Sequence, residues 1–390
     1  MKEVRMMAET TTMRLIPALV ALFPLFTVGA PLMPCARLAA EDAASTIARH
    51  HVDGPVIQVA LLLDDSGSME GLINQARSQL WELIGLLGRT TRDGKRTRIE
   101  VALYHYGDLP ALVAPLVPLT SDLDLVSERL FSVNGGGGTE ACGQVIHQAL
   151  TQLTWRQDAN ALRLIVIAGN EDFTQGSHPW QSAVGAAREA GIVVHTIHCG
   201  PRDVGIRGQW AAAAQAGGGT FTCIDQDARA AIPAPQDDEL SALNTKLNAT
   251  YVAYGAQGAS LQRRQEAQDS NAASNGSLAS RASAKATSAY TNSAWDVVDA
   301  VREKRLDVAK APAADLPAEL REKTPAERTA IIAGKQEERD ALQARIAKLS
   351  AERGTWVASQ QNAATAATLG DGLKAAVRAQ AQAAGFTVAP

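Results

Sequence analysis

Between residues 56 and 224 the chain alternates short apolar runs with stretches whose apolar residues recur every three or four positions. VIQVALLL at 56–63 is almost continuously apolar, the pattern of a strand buried on both faces. Met69, Leu72, Ile73, Ala76, Leu80, Leu83, Ile84 and Leu87 then follow at helical spacing. RIEVALY (98–104) reads as a second strand, and ALVAPLVPL (111–119) as a weaker edge strand because of its prolines. Ser121 with Asp124 three positions on predicts a capping box opening a short helix to about Leu130. A helix is expected over Ala141 to Leu153, then a strand at LRLIVIA (162–168) and a helix at about 180–190 closed by Gly191. Strands at IVVHTIH (192–198) and TFTCI (220–224), with a short helix near 209–216 between them, complete the set. This alternation predicts an α/β fold, a doubly wound, mostly parallel six-stranded sheet of Rossmann-like type.

The pattern changes after about Pro235. Alanine, glutamine and charged residues dominate, so an α-helical C-terminal region is expected over 236–360. The stretch 258–290 is polar enough to be a solvated helix or partly disordered. Pro317 and Pro325 mark two helix starts. Ile332, Leu342, Ile346, Leu349 and Trp356 fall on a heptad-like stripe, which suggests a coiled coil or helical hairpin, or one helix packed on its neighbours. Residues 361–390 are expected to be a flexible tail.

The first residues do not read as part of the fold. Arg14 precedes LIPALVALFPLFTVGA, an apolar stretch of signal-peptide length interrupted by Pro17 and Pro24. Residues 1–40 are therefore expected to be a signal peptide, and the protein to be exported, periplasmic or secreted, with no stable membrane span after cleavage. Cys35 raises a lipid-anchored alternative that Pro34 disfavours. The formal net charge of −4 gives no reason to expect nucleic acid or an anionic membrane as partner.

The candidate chemistry sits where the first strand ends, in LLLDDSGSME (61–70). Asp64, Ser66 and Ser68 form a D-x-S-x-S pattern, which a turn can aim into one small volume. One carboxylate and two hydroxyls are hard oxygen donors, suited to Mg²⁺, Mn²⁺ or Ca²⁺. The blander reading is a turn that caps the next helix. NGGGGTE (134–140) falls in a loop that the sheet would bring to the same edge, where its glycines allow close backbone approach and Thr139 adds a hydroxyl.

Together, DDSGSM, GGGGTE and the strand order resemble the von Willebrand factor type A (VWA) domain over about 52–230. The resemblance implies a metal-ion-dependent adhesion site using D-x-S-x-S, a threonine and a further aspartate, so Asp64, Ser66, Ser68 and Thr139 carry over. It implies a protein partner that offers an acidic residue to the ion. One position departs: the strand LIVIA runs into AGNEDF, and Gly169 stands where the family's aspartate is expected. Asn170, Glu171 and Asp172 are the alternatives for the missing donor. The competing reading is a metal-free interaction scaffold with a degenerate site.

Other motifs are weaker. His195 and His198 lie three apart on a strand and should face opposite ways, so they cannot chelate one ion. GRTTRDGKRT (88–97) lacks phosphate-loop spacing and reads as a basic surface turn. Ser66 has no nucleophile frame and no placed base, so an enzyme is not expected. Cys142 and Cys199 should both lie near the site's edge and form the leading disulfide candidate, with Cys199–Cys223 and free thiols as alternatives.

Overall fold

The computed structural model describes residues 54–107, 114–228, 232–360 and 367–388. The expected signal segment, with Cys35, lies outside them.

The chain runs β1 (Val56–Leu63), α1 (Glu70–Gly88), β2 (Thr90–Arg92), β3 (Lys95–Arg96), β4 (Arg98–His105), β5 (Val117–Thr120), α2 (Leu123–Ser132), α3 (Cys142–Gln152) and β6 (Ala161–Gly169). It continues through α4 (Trp180–Glu189), β7 (Val193–Cys199), α5 (Arg202–Arg207), α6 (Trp210–Ala216) and β8 (Gly218–Ile224). The helical region comprises α7 (Asp237–Asn248), α8 (Gly258–Ser274), α9 (Leu278–Lys285), α10 (Val297–Arg302), α11 (Ala318–Arg321), α12 (Pro325–Gln360) and α13 (Leu369–Ala383), with β9 (Thr387–Val388) last.

The main sheet has six strands in the order β5-β4-β1-β6-β7-β8. All neighbours are parallel except the β4–β5 pair, so the proline-bearing strand is an antiparallel edge, as its composition requires. Every residue of β1 is buried, because helices cover both faces. Ile57, Val59, Leu61 and Leu63 face α1, α2 and α13, while Ala60 and Leu62 face α3, α4 and α6. The basic segment after α1 is the β2–β3 hairpin, turned by Asp93 and Gly94 with positive φ.

Three expectations for the helical parts need correction. First, Asp122, not Ser121, caps α2: its Oδ1 accepts from Leu125 N at 3.0 Å. Asp124 is instead buried, where Arg281 Nη1 donates to it at 2.8 Å and Tyr290 Oη at 2.7 Å. Second, 258–290 is neither solvated throughout nor disordered. Arg281 and Lys285 of α9 are fully buried around Asp269 of α8, and the Arg281 guanidinium lies over the Trp81 ring of α1. Short alanine side chains let these helices approach closely, and the buried charges are paired as burial demands.

Third, the final segment is not a flexible tail throughout. Residues 369–383 form α13, opened by a capping box between Thr368 and Asp371. Its Leu369, Leu373, Val377 and Ala381, spaced by four, are buried against the sheet-and-α1 core. Gln75 and Gln79 of α1 accept hydrogen bonds from the backbone N–H groups of Leu369 and Gly370. The long α12 carries the heptad-like stripe but lies on α7, α9 and α10, not on a second long helix. Its Arg339 is buried and bonds Asp296 (2.6 Å) and Asp299 (2.9 Å). Sheet and helices belong to one compact unit spanning Asp53–Pro390. Among the described residues no helix is long and apolar enough to cross a membrane.

Candidate metal centre

β1 delivers its last apolar residue, Leu63, to the carboxyl edge of the sheet, and the chain then turns. Asp64 Oδ1 accepts from Ser66 N at 2.8 Å, a local turn that Asp favours. Met69 N bonds Ser66 O at 2.9 Å, and the buried Met69 side chain starts α1. Ser66 Oγ and Ser68 Oγ stand 3.4 Å apart. Two of the three D-x-S-x-S pairings are therefore direct contacts. Asp64 is fully buried, yet its Oδ2 has no hydrogen-bond partner.

Burial pushes the Asp64 carboxyl up to about 6, against the Ser66 hydrogen bonds that lower it, and the Glu140 carboxylate raises it further. A buried carboxylate oxygen without a donor is costly to ionise. A cation at that oxygen would remove the cost.

The glycine loop docks on the same turn. Gly136 N donates to Asp65 O at 2.8 Å, and Thr139 N to Gly107 O at 3.0 Å. A Cβ on Gly107 would come within 2.3 Å of Ser66 N, so only glycine admits this approach. Thr139 itself is exposed on the loop. The second aspartate of the motif, Asp65, is not aimed at the serines: its Oδ2 pairs with His105 Nδ1 at 2.6 Å, which raises the imidazole above its ordinary range.

The departure at Gly169 resolves in an unexpected way. A Cβ there would lie 2.7 Å from Tyr106 Oη and 2.9 Å from Asp64 Oδ2. Tyr106 is buried and donates to Ala168 O at 2.9 Å, so it has no room to move aside. The position that reaches the serines is the next one. Asn170 Nδ2 donates to Ser68 Oγ at 3.2 Å, while Asn170 Oδ1 is buried without a partner. Glu171 instead accepts from Gln175 Nε2 at 3.4 Å. Asp172 faces Gly208, where an added Cβ would come within 2.8 Å of its Oδ1. Of the three alternatives, the structure brings Asn170 to the site.

Glu140 belongs to the site and was not singled out from the sequence. It is buried beside the turn, its charge bears on the Asp64 carboxyl, its backbone N–H donates to Gln175 Oε1 at 3.3 Å, and burial raises its own carboxyl above the ordinary range. The signal was in the quoted NGGGGTE, whose last letter follows the threonine directly. Two carboxylates, two hydroxyls and an amide oxygen thus gather at one strand edge, a donor set that fits a hard divalent ion. Among the described residues, no three His, Cys, Asp or Glu side chains converge on a common point.

Among the described residues the cysteines do not pair. Cys142, Cys199 and Cys223 are free thiols. Cys142 faces the α3/α4 side of the sheet and Cys199 the α1/α13 side, so the sheet separates the leading candidates. His195 and His198 face opposite ways as expected, toward Thr220 (3.0 Å) and Asn170 O (3.2 Å).

A doubly wound sheet with an oxygen-donor turn at the carboxyl end of its first central strand defines the class. Residues 58–213 match the family described as von Willebrand factor type A domain, and the chain carries a domain of that family followed by a helical region. Among solved structures, BatB from Bacteroides thetaiotaomicron is 20% identical, over 43% of this chain and 90% of that one, with a TM-score of 0.33. An aerotolerance-related membrane protein from Bacteroides fragilis is 19% identical, over 44% of this chain and 93% of that one, at TM-score 0.31. Proximal thread matrix protein 1 from the mussel byssus, described with a zinc-occupied MIDAS motif, is 14% identical, over 45% of this chain and 43% of that one, at TM-score 0.34. No curated protein matches the chain.

Proposed function

We propose that this protein is an exported, non-catalytic binding module. In this reading Asp64, Ser66, Ser68 and Asn170 hold a divalent cation, with Glu140 and Thr139 acting directly or through water. The observation that carries it is the pair of buried, unpartnered oxygens, Asp64 Oδ2 and Asn170 Oδ1, on either side of the bonded serines. Asp64 and Glu140 supply the two negative charges that Mg²⁺, Mn²⁺ or Ca²⁺ requires. The ion would act as a Lewis acid that accepts a carboxylate from a protein partner. Asp64 anchors the charge, Ser66 and Ser68 orient it, and Gly107 lets the backbone pack directly on the Ser66 turn. Export rests on the apolar stretch after Arg14.

The metal-free scaffold reading is favoured by one observation: Gly169 stands where the family has an aspartate, and the side chain that reaches the site instead, Asn170, is neutral with its amide already bonded to Ser68. Calorimetric titration with Mg²⁺ and Mn²⁺ separates the two. Saturable heat that disappears in Asp64→Ala and weakens in Glu140→Gln supports the metal module. Absence of heat in a folded wild-type protein leaves the scaffold.

A further inference from the structure

The basic segment after α1 has no part in the candidate metal centre. The β2–β3 hairpin lies at the opposite edge of the sheet, where β1, β4 and β6 begin. There Thr97 N donates to Thr90 O at 3.2 Å, Arg98 N to Pro55 O at 3.0 Å and Val56 N to Asn160 O at 3.0 Å. The eight residues of β1 set this pole about 25 Å from Asp64. Arginines tie the hairpin to its surroundings. Arg92 Nη1 donates to Ala159 O at 2.6 Å, and its guanidinium lies over the Phe386 ring. In the same loop Arg163 Nη1 donates to Arg156 O at 3.0 Å. β9 pairs with β2, and Arg378 of α13 stands near enough to Arg89 that its charge joins burial in lowering the Arg89 pKa.

The carboxylates beside these cations are mostly engaged. Glu100 pairs with Arg98, and Asp158 with Arg156. Among the described residues no carboxylate stands within ion-pair distance of Arg89, Lys95, Arg96 or Arg378, all of them exposed. Asp93, at the turn, is the one acid of the hairpin itself. Lys95 and Arg96 are strand neighbours and point to opposite faces, so they share no contact surface. What they share is a field. Paired strands lie about 4.8 Å apart, within the Debye length of about 8 Å at physiological salt, so the hairpin's charges act together on a charged surface. The formal net charge of −4 averages this basic pole with an acidic remainder.

We infer that the β2–β3 hairpin, with Arg89 and Arg378 beside it, is a docking surface for anionic phospholipid headgroups. Each exposed Lys or Arg adds to the attraction of such a surface, and no shaped pocket is needed. The chain enters the fold at this pole, through Pro55 and Val56, downstream of the apolar 15–30 stretch. This is therefore the end of the domain joined to the bilayer-directed sequence, where phospholipid, not nucleic acid, is the polyanion at hand. Docked in this way, the domain keeps the edge that bears Asp64 away from the lipid and open to a partner. The inference does not depend on a bound cation.

The test is vesicle co-sedimentation of the full chain in chelator. One set of vesicles is phosphatidylcholine alone, and the other is phosphatidylcholine mixed with phosphatidylglycerol. The proteins are wild type, the hairpin variant Lys95→Glu with Arg96→Glu, and a control, Arg202→Glu with Arg207→Glu. The control makes the same change in net charge at exposed positions of α5, beyond the carboxyl end of β7. Wild type is expected to prefer the phosphatidylglycerol vesicles and to lose that preference in about 0.5 M salt. The hairpin variant should bind them at least tenfold more weakly, while the control binds as wild type does. Equal binding of wild type to both vesicles, or a preference that salt leaves unchanged, overturns the inference. Equal weakening in the two variants also overturns it, because net charge and not the hairpin would then be at work. Displacement from the vesicles by duplex DNA at matched phosphate concentration overturns the lipid assignment in favour of nucleic acid. Asp64→Ala should bind the vesicles as wild type does, so the metal reading stands or falls separately.

Discussion

At the residue scale, the site turns on a shift of one position. The family pattern puts the missing carboxylate at Gly169, but a side chain there would strike Tyr106 and Asp64, and the donor that touches Ser68 is Asn170. Two substitutions should therefore differ sharply. Gly169→Asp should destabilise the fold by about 2 kcal/mol or more, because it inserts volume and a charge into a packed edge. Asn170→Asp should fold normally and bind Mg²⁺ at least tenfold more tightly than wild type, since a carboxylate replaces a neutral oxygen. Thermal melts and calorimetry on both check this. The sequence showed Asp64, Ser66 and Ser68 because their spacing is local. It could not rank Asn170 above Glu171 and Asp172, because that depends on how the chain leaves β6.

His195 supplies a second residue-scale expectation. Its Nδ1 accepts from Thr220 N at 3.0 Å and its Nε2 is buried without a partner, so the neutral ring is held. Burial pushes it down to about 4 from its ordinary 6.5. Between those values the unfolded chain binds a proton that the folded chain refuses, so the contribution is full above pH 6.5 and lost as pH falls toward 4. Wild type should lose about 2 kcal/mol more stability between pH 7 and pH 5 than His195→Gln, read from urea midpoints at the two values.

At the scale of elements, the strands were legible because each is a short, nearly unbroken apolar run, and β1, β4, β6, β7 and β8 fall where those runs lie. The helices around the sheet followed from period, except α5 and α13. α5 is six residues long, too short for periodicity to speak. α13 does carry Leu369, Leu373, Val377 and Ala381 at helical spacing, but among alanines and glutamines the stripe is thin. Least legible were α8 and α9, whose packing rests on paired charges that hydrophobic patterning does not register. There Arg281 links α9 to Asp124 of α2 and Asp269 of α8. Arg281→Ala should cost about 3–5 kcal/mol, because it leaves Asp124 buried without a cation and Asp269 with Lys285 alone. Arg281→Met combined with Asp124→Leu should recover much of that loss, and chemical denaturation of the two variants provides the comparison.

At the scale of the whole molecule, the helical region is an excursion between the last main strand, β8, and the helix α13 that covers the α1 face of the sheet. The core that holds Ile57 and Val59 also holds Leu243 and Ile346 of the excursion and Val377 of α13. Sheet and helices should therefore unfold together. Scanning calorimetry is expected to show one transition, and a chain ending at residue 360 should melt at least 10 °C lower, with its α1 face open to hydrophobic dyes. The same arrangement sets a timetable for synthesis. The residues from Ile224 to Ala383 must emerge before the α1 face can be closed, roughly ten to thirty seconds at ordinary rates of translation. Throughout that interval the nascent sheet presents uncovered aliphatic surface, and any message cut short late in its reading frame yields a product that chaperones or proteases will recognise as unfinished.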